Sequence, residues 1–487
     1  MSEYSVSEYH DASMIYEKLS KLMSLPIYGI SKTGMDRYLN HFDTKCKKSK
    51  EVISEAKKFI PGGVQHNLAF NLPFPIVMEK ADGAYLWDAD GNQYIDFLKA
   101  GGPIMLGSNY ASVREKVDEV INECGPVTGL FHEYEMKLAK EINRHVPSIE
   151  MFRMLGSGTE SAMAAIRLAR LASKKKKIIK MGGAYHGWSD QMVYGLHIPG
   201  TKGFEAHGIP GSCRKHTQEV YPNDIDALKK NLSRNRLKGG TAAIIVEPMG
   251  PESGTRPLDR DYNAQVKELC EDFDVLLIFD EVVTFGRIGL SGAQGYFGVK
   301  PDLTVFGKVV AGGYPGAGGL GGRRDLMEHL AAGIEGGKKR AYVGGTLSAN
   351  PLSCTAGYYT IKEIERTNAC KKAGQAADRL TKGLGELIEA RDLPYVAYNQ
   401  GAICHLETVG AMFVKISYLK IRSVLKEIKA RTHAMEEMGA AYMAEGIVTL
   451  AGSRMYTSLA ETNEVIDDAL VRFERVFDNI EPREIFN

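Results

Sequence analysis

Short apolar runs alternate with amphipathic stretches through the middle of the chain. The runs at 242–246 and 275–279 are apolar at every position, which is typical of strands that are buried on both faces of a parallel sheet. The alternation of such runs with helical periodicity predicts an α/β fold with helices on both faces of a mostly parallel sheet. Further strands are predicted at 151–155, 178–181 and 303–306, and helices at 111–124, 133–145, 160–173 and 262–273.

The two ends of the chain show a different pattern. Strand-like segments occur within 75–98, where Asp90-Gly91 lies between two of them and is a hairpin signal. The part after about residue 350 is mostly helical, with a closing helix near 463–478. Residues 1–50 are polar and rich in aromatic side chains. They predict either a helical arm outside the core, which could pack on a partner subunit, or a solvated extension.

Composition and charge narrow the class of protein. The chain has 487 residues, with 61 Lys and Arg against 60 Asp and Glu, so it has no basic field that would attract nucleic acid. Its apolar runs are too short to span a bilayer, and its polar beginning does not resemble a secretory signal. Seven cysteines without a CxxC pair argue against a disulfide framework or a zinc site. We expect a cytoplasmic protein without nucleic-acid, membrane or metal binding.

The segment after the strand at 151–155 reads GSGTE (156–160) and leads directly into a helix. The first amides of a helix lack partners, and together with the helix dipole and two hydroxyl groups they form an anion site. The segment therefore predicts a phosphate site, with an ordinary helix cap as the alternative. Because no Gly-Lys-Ser or Gly-Lys-Thr follows, a nucleoside triphosphate site is disfavoured.

Three further candidates also follow strands. Asp280 is a carboxylate at the end of a buried strand, where it needs donors or a cation; a structural salt bridge is the alternative. Lys308 follows another strand, where burial would favour a nucleophilic amine unless the side chain extends into water. Tyr185 could stack on a flat ligand or belong to the core. Ligands of open α/β sheets lie beyond the strands' carboxyl ends, and this combination fits pyridoxal phosphate.

These residues lie in motifs that resemble the class III (fold type I) pyridoxal-phosphate-dependent aminotransferases. The pattern is closest to glutamate-1-semialdehyde aminomutase and its aminotransferase relatives. The resemblance covers about 55–487 and rests on FIPGGV (59–64), GAYLWDADGNQYIDF (83–97), GSGTESAMAAIRLAR (156–170), YHG (185–187), VEP (246–248), LLIFDEVVTFGR (276–287), PDLTVFGKVVAGGYPGAGGLGGR (301–323) and GTLSANPLS (345–353).

The resemblance implies a fold and a domain organisation. We expect the fold type I architecture, an α/β fold with a mostly parallel sheet of seven strands and helices on both faces, plus a smaller α+β domain formed by both chain ends. The predicted parts are an N-terminal helical arm (1–50), the N-terminal part of the small domain (51–110), a large cofactor-binding domain (111–349) and the C-terminal part of the small domain (350–487).

The resemblance also implies roles for single residues. Lys308 is expected to carry the cofactor as a Schiff base and to move protons, and Asp280 to pair with the pyridine nitrogen. Val282 and Tyr185 are expected on opposite faces of the ring. Thr346 is expected to reach the phosphate from a partner subunit, which makes a homodimer with active sites at the interface the minimum assembly. The remaining cofactor-binding residues are expected to be Ser157, Gly158, Thr159, His186 and Glu247.

From these roles we expect an aminotransferase that moves an amino group from an amino acid or related amine to a keto acid in a ping-pong cycle. The alternatives on the same scaffold are an aminomutase of the glutamate-1-semialdehyde type, a racemase or epimerase, and a lyase. A catalytically inactive binding protein with this fold is an alternative of a different class.

The substrate-binding residues are less well defined by the motifs. The aminomutase has an arginine shortly after its PGGV segment, whereas residues 64–70 of this chain contain none. Arg454 is a candidate for an oxyanion of the substrate, with a surface arginine as the alternative. Trp188 and Glu133 could line the pocket, but they could equally be a core side chain and a solvated first turn. His66 could contact substrate or satisfy a turn.

Overall fold

The computed structural model describes residues 3–203, 207–333 and 339–483. The chain forms two compact units. Unit 1 contains the described residues within 1–5, 103–105 and 111–371, and unit 2 those within 6–102, 106–110 and 372–487. Residues 350–371, which we expected in the small domain, therefore belong to unit 1. They include a helix that packs against the helices at 111–123 and 133–145.

The secondary structure alternates between strands and helices through most of unit 1. The strands are β1 (Ile27–Ile30), β2 (Met78–Asp82), β3 (Tyr85–Asp88), β4 (Gln93–Asp96), β5 (Met151–Leu155), β6 (Lys177–Met181), β7 (Thr217–Val220), β8 (Thr241–Val246), β9 (Leu276–Asp280), β10 (Leu303–Gly307), β11 (Gly318–Gly322), β12 (Val396–Gln400), β13 (Ile403–Glu407), β14 (Ile447–Val448), β15 (Arg454–Tyr456) and β16 (Ile480–Arg483).

The helices cover both faces of the central sheet and much of unit 2. They are α1 (Ala12–Ser24), α2 (Lys32–Lys45), α3 (Lys47–Ala56), α4 (Ala111–Glu123), α5 (Glu133–His145), α6 (Gly158–Ser173), α7 (Gly211–Arg214), α8 (Ile225–Arg236), α9 (Pro251–Gly254), α10 (Tyr262–Asp272), α11 (Gly292–Phe297), α12 (Arg324–Met327), α13 (Pro351–Thr367), α14 (Ala369–Ala390), α15 (Ile421–Ala444) and α16 (Asn463–Phe477). Among the described residues, no helix combines the length and apolar character that crossing a bilayer requires.

Unit 1 is built on a seven-stranded sheet with the order β5-β11-β10-β9-β8-β6-β7. Neighbouring strands are parallel except around β11, which is antiparallel to both β5 and β10. This confirms the predicted mostly parallel sheet of fold type I. The carboxyl ends of β5, β6, β8, β9 and β10 therefore share one edge.

The apolar strands of the sheet supply two cores because successive side chains point to opposite faces. Ile245 and Ile278 pack on one face with Ile166 of α6. Ile244 and Leu277, their neighbours in sequence, pack on the other face with side chains of α8 and α10. Every residue of β8 and β10 is buried, which explains why these strands read as continuous apolar runs.

Unit 2 contains three smaller sheets, with the orders β14-β4-β3-β2, β12-β13-β15 and β1-β16. The Asp90-Gly91 turn joins β3 and β4, as the hairpin signal predicts. The N-terminal segment forms helices, but it differs from the expected arm outside the core. Leu19, Leu22 and Phe42 are buried in one cluster with residues of α14, α15 and α16. The apolar residues of α1 recur at helical spacing and form a buried stripe.

Candidate functional site

Most of the predicted site residues of unit 1 lie at the shared edge of its sheet. Ser157 follows β5, Tyr185 and His186 follow β6, Glu247 follows β8, Asp280 ends β9, and Lys308 follows β10. Residues that are far apart in sequence are brought together here because parallel strands place their carboxyl ends at the same edge.

Asp280 is almost completely buried and makes two hydrogen bonds. Its Oδ2 lies 2.7 Å from Nδ1 of His186, and its Oδ1 accepts a 3.0 Å hydrogen bond from the amide of Val282. Burial lowers the pKa of His186 even though the adjacent carboxylate raises it. A neutral imidazole that donates from Nδ1 leaves Nε2 as an acceptor, and Nε2 of His186 is buried with no hydrogen-bond partner among the described residues. The histidine thus holds the aspartate in one orientation.

Glu247 connects two loops at the same edge. Its Oε1 accepts the amide of Tyr185 at 2.9 Å, and its Oε2 accepts the amide and hydroxyl groups of Ser253 at 2.5 and 3.2 Å. Burial, followed by the negative charge of Asp280, raises the pKa of Glu247 to about 8. Glu252 and Ser253 both have positive φ angles, so this carboxylate stabilises a turn that non-glycine residues adopt only at a cost.

The sequence predicts an anion site at the amino-terminal end of α6. The helix cap that we gave as the alternative is present, and a phosphate contact stays a prediction. Ser157 caps the helix, and its Oγ accepts the amide of Glu160 at 3.2 Å. A Cβ added to Gly158 would lie 2.9 Å from Cγ2 of Val282. A Cβ added to Gly187 would lie 2.5 Å from Oγ1 of Thr159. The two glycines therefore allow Val282 and the loop after β6 to approach the helix terminus closely.

Lys308 begins a short 3₁₀ turn immediately after the buried strand β10. Its side chain is half-buried, and its φ angle is +49°. A non-glycine residue in the left-handed region costs about 1–2 kcal/mol. The preceding Gly307 packs against Val282, where an added Cβ would lie 2.9 Å from Cγ1. Val282 is thus adjacent to the glycine before Lys308 and to Gly158 at the anion site.

Thr346 lies in an exposed segment between β11 and α13. Its neighbour Gly345 lies close to Glu160, since an added Cβ would be 3.3 Å from Oε2 of that residue. The side chain of Thr346 is exposed to solvent in the single chain. The expected contact from a partner subunit stays a prediction.

The family model of the class III aminotransferases matches residues 69–477. The chain belongs to this family. The match spans most of both units, and the family relationship predicted from the motifs is confirmed.

Similar proteins with curated names are aminomutases. The glutamate-1-semialdehyde 2,1-aminomutase of Methanocaldococcus jannaschii is 37% identical over 446 residues, which cover 90% of this chain and 99% of the relative. The enzyme of the same name from Acetivibrio thermocellus is 40% identical over 350 residues, which cover 70% and 79%.

Solved structures share the fold at low sequence identity. A glutamate-1-semialdehyde-aminomutase from Pseudomonas aeruginosa PAO1 aligns with a TM-score of 0.77 at 23% identity, over 93% of this chain and 99% of that chain. An omega-transaminase from Sphaerobacter thermophilus aligns with a TM-score of 0.77 at 24% identity, over 88% and 97%. These similarities show the class III fold.

Pyridoxal phosphate is the cofactor of the class III family, and the residues present in this chain fit it. The start of α6 carries the positive end of the helix dipole, which favours an anion such as a phosphate group. The glycines at 158 and 187 leave space that a Cβ would fill. Asp280 offers a buried carboxylate that His186 and the Val282 amide hold in place. These groups therefore match a ligand in which an anionic group is joined to a basic aromatic ring.

Two of the candidate substrate residues lie in unit 1. Trp188 is 75% exposed and follows the loop that carries Tyr185, so the alternative of a core tryptophan is wrong. Glu133 is the exposed first residue of α5 and forms an ion pair with Lys137 at 2.9 Å. That arrangement is the solvated first turn that we gave as its alternative. A substrate contact of Trp188 stays a prediction.

The other two candidates lie in unit 2. His66 is exposed, and its Nδ1 accepts the amide of Leu68 at 3.1 Å, which is the turn-capping alternative. It also lines a mostly apolar cavity of about 500 Å³. Arg454 lies in β15 opposite His405 of β13 and is only 8% exposed. The alternative of a surface arginine is therefore wrong, and a substrate role stays a prediction.

The motifs did not identify two residues that shape the site. A serine at position 253 does not by itself indicate a role at the site, although glycines at 250 and 254 mark an unusual turn. Lys180 lies in the buried strand β6, and its ammonium group donates to carbonyl groups of the following loop. A lysine within the apolar run Ile178-Ile179-Lys180-Met181 was the available signal for this residue.

Proposed function

We propose that the chain is a pyridoxal-phosphate-dependent aminomutase that moves an amino group between neighbouring carbons of one substrate. The observation that carries this proposal is the 37% identity to the aminomutase of Methanocaldococcus jannaschii over 99% of that enzyme. From the motifs alone we expected an aminotransferase first and an aminomutase second. The named relatives favour the second of these.

Residues at the sheet edge would hold the cofactor. Ser157, Gly158 and Thr159 would bind its phosphate group at the start of α6, where the positive end of the helix dipole favours an anion. Tyr185 and Val282 would contact the two faces of its ring, with Asp280 at the ring nitrogen. When bound, the cofactor supplies an electron-withdrawing ring that makes the Cα proton of a substrate amine acidic.

The chemistry of the chain itself consists of holding and moving protons. The Asp280 carboxylate would keep a proton on the ring nitrogen, and the hydrogen bond from His186 fixes its orientation. The amine of Lys308 would move a proton between a substrate carbon and the C4′ atom of the cofactor, acting as base and then as acid. Glu247 contacts Tyr185 and Ser253, so we assign it a supporting role in place of the cofactor contact expected from the motifs.

An aminotransferase is the second candidate, and one observation favours it. Residues 64–70 lack the arginine that the aminomutase resemblance leads us to expect. This segment lines the 500 Å³ cavity of unit 2, and the described residues that line it include no lysine or arginine. A keto acid would then be the acceptor.

A spectroscopic assay separates these functions. The holoenzyme is mixed with glutamate-1-semialdehyde without a keto acid, and separately with a panel of amino acids with and without 2-oxoglutarate or pyruvate. An aminomutase converts the semialdehyde continuously without a keto acid. An aminotransferase gives one turnover and the pyridoxamine spectrum until a keto acid is added. Continuous loss of optical activity or of a β-substituent would indicate a racemase or lyase, and no change with any donor would indicate an inactive binding protein.

We also propose a homodimer, which the exposed apolar surface of unit 1 supports. Leu130, Phe131, Tyr342 and Leu347 are each more than half exposed. Leu130 and Phe131 line a cavity of about 640 Å³, which Thr346 also lines. Burying such side chains against a second copy would remove a large apolar area from water.

A cytoplasmic location is part of the proposal. All seven cysteines are free, and five of them are buried. Free thiols are typical of proteins in a reducing compartment, so the cysteine pattern supports this location.

A further inference from the structure

Lys180 is a completely buried lysine in strand β6. Its Nζ donates hydrogen bonds to the carbonyl oxygens of Ala184 at 2.7 Å and Tyr194 at 2.8 Å, and it lies 3.4 Å from the carbonyl oxygen of Met192. Burying an ammonium group is costly unless it is fully hydrogen-bonded. A side chain that served only to fill the core would be apolar, as its neighbours in β6 are.

The three carbonyl groups belong to the segment 184–194, which contains Tyr185, His186 and Trp188. One carbonyl lies at the start of this segment and two lie at its end. The ammonium group therefore draws both ends of the segment to a single point. Hydrogen bonds from a charged donor are stronger than those between neutral groups, so this contact constrains the shape of the segment.

Charged groups on the neighbouring elements fit this arrangement. Lys180 pairs in register with Glu219 of β7. Burial raises the pKa of Glu219, and the positive charge of Lys180 acts in the opposite direction. Burial lowers the pKa of His186, and the charge of Lys180 adds to that effect. Glu219 accepts the amide of Gly200 farther along the same connection. The ammonium group also favours the neutral form of His186, the form that can donate one proton to Asp280.

We propose that Lys180 is a positioning residue that closes the segment 184–194 and thereby sets the places of Tyr185 and His186 at the cofactor. The inference rests on the proposed roles of Tyr185 and His186, and it does not depend on which amine is the substrate. Lys180 acts through the loop and has no assigned contact with substrate or cofactor.

The test compares Lys180→Met with Lys177→Met. Methionine retains the length of the stem and removes the ammonium group. Lys177 lies in the same strand, but its Nζ donates to the carbonyl of Lys238 at the surface. We expect Lys180→Met to raise the dissociation constant of pyridoxal phosphate by about tenfold or more, because one set of charge-assisted hydrogen bonds is lost. The control should change it less than about twofold.

Two further measurements separate positioning from a general loss of stability. The visible circular dichroism per bound cofactor reports the surroundings of the ring, and hydrogen exchange at the Tyr185 amide in the cofactor-free protein reports the loop. We expect Lys180→Met to change the dichroism signal and to accelerate hydrogen exchange at the Tyr185 amide by about tenfold. Lys180→Arg should partly restore both properties. A lower melting temperature with an unchanged dichroism signal and unchanged affinity would overturn the inference.

A Tyr185→Ala variant distinguishes failure of this inference from failure of the assigned roles. If Tyr185→Ala changes cofactor affinity and dichroism while Lys180→Met does not, the inference about Lys180 is wrong. If neither variant changes them, the proposed role of Tyr185 is wrong and the inference falls with it.

The wild-type protein provides a test if Lys180→Met does not fold. Acylation of lysine amines is followed by mass spectrometry with and without pyridoxal phosphate. Opening of the loop would expose Lys180 to the reagent. If Lys180 and the loop favour cofactor binding, the bound cofactor must in turn favour the closed loop. The cofactor should therefore slow acylation of Lys180 by about tenfold and leave acylation of Lys177 unchanged. Equal acylation rates of Lys180 in the two states would contradict the inference.

Discussion

Asp280 is held by its neighbours before any ligand is present. His186 lies 2.7 Å from one carboxylate oxygen, and the Val282 amide donates to the other. The sequence identifies Asp280, because a carboxylate at the end of an apolar strand is unusual. It does not reveal the pairing with His186, since that contact joins residues 94 positions apart and depends on the order of the strands.

Replacing Asp280 by Asn should slow the first half-reaction with an amine donor by about 10²–10³-fold, as is typical for removal of one preorganised electrostatic contact. The amide can still accept from Val282, so the fold and cofactor binding should persist. Stopped-flow absorbance of the holoenzyme measures the rate, and Asp272→Asn at an exposed position of α10 is the control. Wild-type rates in Asp280→Asn would contradict the role of the carboxylate.

Glu247 should make the stability of the cofactor-free protein depend on pH. Its pKa is raised from 4.5 to about 8 in the folded protein, so the folded state binds the proton more tightly than the unfolded state. The free energy of unfolding should therefore fall as the pH rises from about 4.5 to 8, by up to about 1.4 kcal/mol per pH unit from this group. Urea unfolding at several pH values should show a smaller decrease of the free energy of unfolding for Glu247→Gln than for the wild type.

The exposed Glu133 gives the matched control for that measurement. Glu133→Gln should retain the wild-type slope of stability against pH. If Glu247→Gln shows the same slope as the wild type between pH 5 and 8, the carboxyl group of Glu247 is ionised throughout this range.

At the scale of elements, the apolar strands and their helices follow from the sequence. Both faces of the sheet are covered, so β8, β9 and β10 are apolar, and this pattern predicts them from the sequence. Helix α5 begins and ends at the predicted residues. Strand β11 was not predicted, since it reads Gly-Gly-Leu-Gly-Gly. Its glycines are required by close neighbours: a Cβ on Gly319 would lie 2.5 Å from the ring of Phe152. Helix α1 was misjudged because its buried stripe lies within a polar segment.

The contact between the loop after β6 and the start of α6 provides an element-scale prediction. Gly187→Ala would place a Cβ 2.5 Å from Oγ1 of Thr159 at a φ angle of +84°. We expect the dissociation constant of pyridoxal phosphate to rise by about tenfold or more, since overpacking costs about 1–3 kcal/mol. Gly298→Ala is the control, because Gly298 has a similar φ angle of +67° and an added Cβ would have no heavy atom of the described residues within 4 Å. If both variants bind the cofactor equally, the close approach at Thr159 has no role in binding.

At the scale of the whole molecule, the sequence predicts the family and the central sheet better than the division of the chain. The motifs are local and carry the family relationship, whereas unit boundaries depend on long-range packing. Helix α13 lies with α4 and α5 in unit 1, although the helical pattern after residue 350 gives no sign of this. The N-terminal helices lie in the core of unit 2 for the same reason.

Mixed dimers test whether active sites are shared between subunits. Lys308→Ala and Thr346→Glu should each inactivate a homodimer, the second because a carboxylate would repel the phosphate group. If Thr346 acts on the partner's site, a mixed dimer contains one site with both changes and one unchanged site. Mixing the two inactive proteins under conditions of subunit exchange should then restore about a quarter of the wild-type activity, since half of the dimers are mixed and each has one intact site.

The same experiment has a clear opposite outcome. If Thr346 acts within its own chain, every site in the mixed dimer carries one change and no activity returns. Sedimentation of Leu130→Asp/Phe131→Asp should show dissociation, whereas Leu237→Asp, at another exposed leucine, should not.

Attachment of the cofactor to Lys308 is the central claim, and reductive trapping tests it most directly. Wild-type holoenzyme is treated with sodium borohydride, digested and analysed by mass spectrometry, with Lys308→Ala treated in parallel. We predict one phosphopyridoxyl group per chain on the peptide that contains Lys308, and none on Lys308→Ala. A phosphopyridoxyl group on a different lysine, or equal labelling of the wild type and Lys308→Ala, would contradict the account.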